Sequence, residues 1–502
     1  MGIKRLKLKP NVFDGNSHPF DSADKRRKLR ILFDWNFLEG PEDTGLAGDL
    51  SLSADPEALL RSLLPHPALE VLQFGDVLAP ATVIIGEPRS DNGIVIQSGH
   101  PDVGTESRTM GPYTDILATA GRFQGDAGEI LRDVTVGFAA ARLDVDIFVT
   151  SRRLLLTDKS FKRANCCTPE EALTVVGLFL RTQGEYTVFG PRTYTLGKWT
   201  FYEAAAADLL PDGLRWLVAV NRLPIAPGGR VYGPHLLARK CVRRLATALV
   251  ARDEIHRLSF LGGHVSDLLA QFDWFLLSLV AAFDTSARIA HIATALDPKR
   301  TRDASWRNAG WCKDLAKSAP DLAAVGAPEH WVRDAIDACA ILRNSVHGEG
   351  LLAVGEDWRS REDETLVVVP PDELDQLLKV IGRLGGDSVW GVRERAYGTG
   401  ITVAQFVDQL IVAAVKALNE IVRLTPVEAL PDIDLSDMTD ISRRHSQHAL
   451  NSSQMRSRIR LLAGFSDEPA NPMRPANARS SAVEGVPVHD QAPSSRSTIP
   501  YR

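Results

Sequence analysis

The spacing of apolar residues changes character along the chain: up to about residue 180 short apolar runs alternate with stretches of helical period, and beyond about residue 250 the helical period dominates. The run Leu29-Arg30-Ile31-Leu32-Phe33-Asp34 predicts a buried strand that delivers Asp34 at its C-terminal end, where sites of open α/β sheets are found. Asp55-Pro56-Glu57 predicts the start of a helix over 54–64, because proline is tolerated in a first turn and acids favour its positive end. Val83-Ile84-Ile85 and the stretch 93–97 read as strands separated by turn residues. From Asp126 to Leu143, Ile130, Val134, Phe138 and Ala141 share one side of a helix, and Asp146-Ile147-Phe148-Val149-Thr150 follows as a second buried strand. A parallel strand pair with a helical crossover is the economical reading. Thr168 predicts the cap of a helix that begins at Pro169 and runs through Leu180.

In the second half, Leu258, Leu261, Val265, Leu268, Phe272, Phe275, Leu279 and Phe283 keep a spacing of three or four, which predicts one long core helix. Val403, Val407, Leu410, Ala414, Leu418 and Ile421 predict another. Between them lie a helix over 331–347, a shorter one over 374–384, and a small strand pair at 351–354 and 366–369. Residues 185–233 mix aromatics, glycine and proline without a clean period. The pattern therefore predicts a multidomain α/β plus all-α protein: a flexible basic lead-in (1–28), an α/β domain (29–180), a connecting region (181–249), a helical domain (250–425) and a disordered tail (426–502) rich in Ser, Asn, Pro, Asp and Arg.

A length of 502 residues fits this division, being too great for a single core. The formal charge of −5 excludes a wholesale basic coat, so a nucleic-acid surface has to be local. Candidate patches are Lys25–Arg30, Arg239–Arg244 and, more loosely, Arg443–Arg460, each of which also fits an ordinary solvated face. The five cysteines form no CxxC pair and have no His at finger-like spacing, so neither zinc nor a disulfide framework is indicated and a reducing cytoplasm fits. The first residues lack an apolar leader segment, and no stretch approaches 18 uncharged apolar residues, so no membrane role is expected.

Two constellations carry candidate chemistry. In the first, Asp34 follows one strand, and Glu129 and Asp133 stand four apart on a helix leading to the next. Carboxylates converging at a sheet edge suit Mg²⁺ or Mn²⁺, hard ions that need oxygen ligands. On the residues alone, the alternative is a helix cap at Asp133 and a turn at Asp34. Phe33-Asp34-Trp35-Asn36-Phe37-Leu38, the stretch 133–150 and Cys167-Thr168-Pro169-Glu170-Glu171-Ala172-Leu173 resemble, in order and overall length, the segments of PIN-like nuclease domains. The resemblance implies a three-layer α/β domain with Asp34, Glu129 and Asp133 around a divalent ion, and a middle acid near Glu70. It departs where such domains carry a further Asp after the second strand: Ser151-Arg152-Arg153 stands there instead, with Asp158 the nearest acid beyond.

The second constellation ends the helix over 331–347. Arg343 and His347, four apart, lie together on its flank beside the apolar stripe of Val332, Ile336, Cys339, Leu342 and Val346. For RNA cleavage through the ribose 2′-hydroxyl, a His can move the proton and an Arg can stabilise the anionic transition state without a metal. The same pair also fits a cap that offsets the helix dipole. Leu342-Arg343-Asn344-Ser345-Val346-His347-Gly348 resembles the Arg-Asn…His signature of HEPN domains, helical bundles that are often metal-independent ribonucleases and act as dimers. Its gap of three residues is shorter than that family's usual four to six. The resemblance implies a homodimer through the helical domain, with Arg343 and His347 catalytic, Asn344 orienting or contacting phosphate, and no cofactor at that site. The expectation that follows is an RNA-directed, ribonuclease-like protein of a bacterial toxin or phage-defence type, with an antitoxin or other regulatory partner. The alternative is a non-catalytic nucleic-acid-binding or assembly protein in which both the PIN-like and the HEPN-like domains are degenerate.

Overall fold

In the computed structural model, strand β1 (Leu29–Phe33) holds the centre of the first half, paired in parallel with β2 (Leu69–Phe74) on one side and β6 (Ile147–Val149) on the other. The structure describes residues 19–20, 27–34, 55–76, 81–87, 93–100, 104–157, 165–188, 194–211, 213, 216, 234–261, 265–347, 351–354, 366–395, 398–430 and 453–465. Strands β3 (Thr82–Ile85), β4 (Gly93–His100) and β5 (Gly104–Pro112) extend the sheet beyond β2, and β7 (Cys166–Cys167) extends it beyond β6. The order is β5-β4-β3-β2-β1-β6-β7, parallel except for the antiparallel β3-β4-β5 edge.

Side chains alternate across a strand, and here the alternation fixes the layers. Leu29, Ile31 and Phe33 of β1 and Ile147 and Val149 of β6 face the helices α1 (Pro56–Leu63) and α5 (Pro169–Thr182). Leu32 and Phe148 point the other way, into a separate core with α2 (Tyr113–Ala120) and α3 (Ala127–Arg142). Helices thus cover both faces, as a buried parallel sheet requires. Three helix starts follow the sequence signals. Asp55 accepts from the Ala58 N–H, Asp126 accepts from the Glu129 N–H, and Thr168 with Glu171 forms a reciprocal capping box. The short α4 (Arg153–Thr157) follows β6, and β8 (Thr187–Val188) with β9 (Tyr194–Thr195) makes a small hairpin ladder.

The second half is mainly helical. Its long helices are α7 (Pro234–Leu261), α8 (Val265–Ala293), α11 (Trp331–His347) and α13 (Val403–Leu424), with the shorter α9 (Ala309–Leu315), α10 (Pro320–Ala324) and α12 (Pro371–Arg383) between them. Helix α8 is long and apolar enough to cross a membrane, yet its Phe272, Phe275, Leu276, Leu279 and Phe283 are buried in the bundle core, consistent with a soluble protein. All five cysteines are free.

Several expectations need correcting. The expected single helix through 258–283 is two, because α7 ends at Leu261 and α8 begins at Val265. The second half is mainly helical as expected, and the expected strand pair, β10 (Leu352–Val354) and β11 (Leu366–Val368), is extended by β12 (Val392–Arg395) and β13 (Gly398–Thr402) to a four-stranded antiparallel sheet. The connecting region contains α6 (Lys198–Leu209) and the first half of α7, both packed into the core. Phe20, in the stretch expected to be flexible, is buried against Phe179 and Phe260.

The tail expected to lack structure includes α14 (Ser453–Leu462), whose Met455, Ile459, Leu461 and Leu462 are buried. Its last carbonyls, which no helix can satisfy internally, accept from two buried arginines. Arg181 Nη1 of α5 reaches the Leu462 oxygen, and Arg252 Nη1 of α7 reaches the Ala463 oxygen at 2.9 Å. Each cation is paired in turn: Arg181 Nε with Asp253 at 2.6 Å, and Arg252 Nε with Asp408 at 2.8 Å. Burial works to raise the Asp253 carboxyl pKa, and Arg181, Arg252 and the Tyr202 hydroxyl more than reverse this, so it is held below the usual range.

Candidate functional site

The first candidate lies where the sheet changes direction. From β1 the chain builds β2 on one side and later β6 on the other, so the C-terminal ends of β1 and β6 flank a topological switch point, the place where open α/β sheets keep their ligands. Asp34 follows β1 and Thr150 follows β6, and the sheet ladder continues between them through the Asp34 N–H and the Val149 oxygen at 3.1 Å. The Thr150 hydroxyl donates to Asp34 Oδ2 at 2.6 Å and accepts from the Arg152 N–H at 3.1 Å.

Arg152 occupies the centre of this cluster. Its Nε and Nη2 donate to the two oxygens of Asp34 at 2.7 and 3.1 Å, and its Nη1 donates to Asp133 Oδ1 of α3 at 2.6 Å. Side-chain exposure is 19% for Arg152, 14% for Asp34 and 17% for Asp133, so the charges are largely withdrawn from water. Burial by itself would lower the guanidinium pKa; hydrogen bonds and charges from Asp34 and Asp133 overcome that and hold it above its ordinary value. The cluster is therefore a bidentate salt bridge widened to a third residue.

Of the acids expected to converge, Asp34 and Asp133 do and Glu129 does not. Glu129 is exposed in the first turn of α3. Glu70 is spent on a cross-strand pair, with Arg30 Nε at 3.1 Å. Asp158 lies outside the described residues. Among the described residues no group of three or more His, Cys, Asp or Glu is placed to hold a metal ion. Two carboxylates are the donors a hard cation takes, but the guanidinium of Arg152 fills the space between them. As these side chains stand, they do not fit a divalent ion.

The second candidate is a surface cavity of about 160 Å³ between α8, α11 and the segment before α9. Val280, Phe283, Trp306, Ile336 and Ala340 give it an apolar floor, and Asp284, Ser305, Arg307, Arg343 and Asn344 give it a polar rim. The floor is fixed by Trp306, whose indole N–H donates to Ser286 Oγ at 2.9 Å and whose ring meets Trp311 edge-on. Arg307 is tied to Asp337, Nε to Oδ1 at 2.9 Å.

Arg343 is held differently. Its Nη1 donates to Asn344 Oδ1 at 3.3 Å, while its Nε is buried and has no hydrogen-bond partner among the described residues. A buried donor left unpaired costs about 1–3 kcal/mol. Asp284 stands opposite: burial pushes its carboxyl above the usual range, against the pull of Arg288, Arg343 and Arg307. The rim thus combines cations for an anion with a carboxylate of raised proton affinity. His347 is the last residue of α11, and its side chain lies outside the described residues. Asp284 and Arg307 were not singled out in the sequence, because a carboxylate on an apolar helix and an arginine in a loop carry no spacing signal.

The chain matches no protein-family model, no curated protein and no solved structure.

Proposed function

We propose that the helical half is a metal-independent endoribonuclease of HEPN-like type, acting through Arg343 and Asn344 at the cavity rim and His347 at the end of the same helix. The observation that carries this reading is that Arg343 and Asn344 line one cavity together with Asp284 and Arg307. In the reaction, a base removes the 2′-hydroxyl proton, the 2′-oxygen bonds to phosphorus, and the bond to the 5′-oxygen breaks as that oxygen takes a proton. The products are a 2′,3′-cyclic phosphate and a 5′-hydroxyl. His347 transfers the proton, Arg343 and Arg307 neutralise the extra charge on the phosphorane, and Asn344 orients the phosphate. Asp284 lines the same cavity, and burial raises its proton affinity. The active form is a homodimer through the helical half, working in the cytoplasm with RNA as substrate and an antitoxin-like regulator in a toxin or phage-defence setting.

The α/β half is, in this proposal, a PIN-like domain that docks rather than cuts, a reading favoured by the Arg152 bridge between Asp34 and Asp133. A Mg²⁺ or Mn²⁺ requirement is accordingly not assigned to the cleavage step. The test is RNA degradation by purified protein in EDTA. Arg343→Ala and His347→Ala should each lower the rate about a hundredfold or more, with cyclic phosphate ends on the wild-type products. Full activity of His347→Ala in EDTA would sink the mechanism.

A further inference from the structure

Three basic stretches stand out in the sequence, and the structure separates them. In the first, Arg27 is bound to Asp146 and Arg30 to Glu70, so these two serve the sheet. In the last, Arg456 and Arg460 turn toward Asp208 of α6. The middle one is different. On α7, Cys241 and Leu245 face the core, while Arg239, Lys240 and Arg244 are exposed and have no ion-pair partner among the described residues. With Arg243 they occupy positions i, i+1, i+4 and i+5 of one helix and so share a face. The first half of α7, through Val250, contains no Asp or Glu.

Helix α6 packs beside this face and adds what a purely solvated charge run lacks. Trp199 is 40% exposed, and the guanidinium of Arg243 lies over its ring at 3.7 Å from the centroid. Glu203, one turn on, pairs with Arg243 and holds it in that stacked position. Lys198 is exposed beside the indole. The packed pair α6–α7 therefore presents five cations and one carboxylate together with an indole that keeps part of its area open under Arg243, in a chain whose net charge is −5.

We infer that this α6–α7 face binds single-stranded nucleic acid, with Trp199 stacking a base against the Arg243-backed indole and Lys198, Arg239, Lys240 and Arg244 tracking phosphates. Stacking needs an unpaired base, and the cations need a flexible polyanion; a single strand supplies both. For RNA as the strand, the inference rests on the ribonuclease reading above, to which it adds a holding surface away from the cavity.

The test is fluorescence anisotropy of the full chain with labelled 12-nucleotide single-stranded RNA and DNA over a salt series. Trp199→Ala should weaken binding on the order of tenfold, and Trp199→Phe much less. Reversing Arg239, Lys240 and Arg244 to Glu should weaken it further and flatten the salt slope by about two, given about 0.7 per phosphate neutralised on a single strand. Tighter binding of RNA than DNA identifies RNA as the strand; equal binding keeps the surface and removes that identification. Cleavage of the same RNA in EDTA is measured alongside: the Trp199 and triple variants should lose holding whether or not wild type cleaves, so failure of the binding surface and failure of the cavity mechanism are read separately. No measurable binding by wild type at low salt, or unchanged affinity in both the Trp199→Ala and triple variants, would overturn the inference.

Discussion

One guanidinium decides what the switch point of the sheet can be. Arg152 satisfies Asp34 and Asp133 together, and removing it would leave two largely buried carboxylates facing each other. Arg152→Ser should therefore cost about 2 kcal/mol in chemical denaturation. It should also create a demand for another cation: Mn²⁺ should raise the melting temperature of the variant and not that of wild type. A variant insensitive to Mn²⁺ would mean that the two acids cannot share an ion even when the space is empty. This residue was visible beforehand as Ser151-Arg152-Arg153 where an acid was expected. What the pattern could not show was its reach to both carboxylates, because a side chain with four rotatable bonds leaves no periodic trace. Asp284 shows the opposite limit: its position on α8 was plain, and its neighbours across the cavity were not.

Among the elements, α14 has the least local support and the tightest fit. Gly177 of α5 lies under its end, where a Cβ would sit 2.5 Å from the Leu462 carbonyl oxygen. Backbone cannot yield as a side-chain tip can, so Gly177→Ala should destabilise by about 1–3 kcal/mol. Limited proteolysis between residues 430 and 466 should accelerate in parallel. Unchanged cleavage with lowered stability would place the damage in α5 itself. The tail as a whole is polar and rich in Arg, Ser and Pro, so its composition reads as unstructured; within it the apolar residues of 453–465 pack into the core, and the helix end is fixed by Arg181 and Arg252, both far away in the chain. Where local signals sufficed the elements were readable, as at the caps Asp55, Asp126 and Thr168. Strand β5 was missed because Gly104–Pro112 is mostly polar and earns its place only by pairing with β4. Helix α3 was found with its stripe rotated: Val134, Val136, Ala139 and Ala140 are buried, whereas Phe138 is only partly so.

Across the whole molecule, the boundary expected between the halves is bridged by one hydrophobic core. Ile31 of β1, Leu59 of α1 and Phe179 of α5 belong to the same buried cluster as Phe275 of α8, Val332 of α11 and Phe465. A shared core should melt as a unit. Far-UV circular dichroism, which reads both halves, and tryptophan fluorescence, which reads mainly the second half because all tryptophans but Trp35 lie beyond residue 198, should give one coincident thermal transition. Two separated midpoints would show that the halves are independently stable. In such a cooperative unit, the Arg152 cluster has a further consequence. A charge supplied by a bound ion leaves at low ion concentration, and stability then varies with the supply of that ion by mass action. A charge on a covalently attached side chain has no off-rate and cannot be chelated, so at this point the fold is uncoupled from the divalent-ion level of its surroundings.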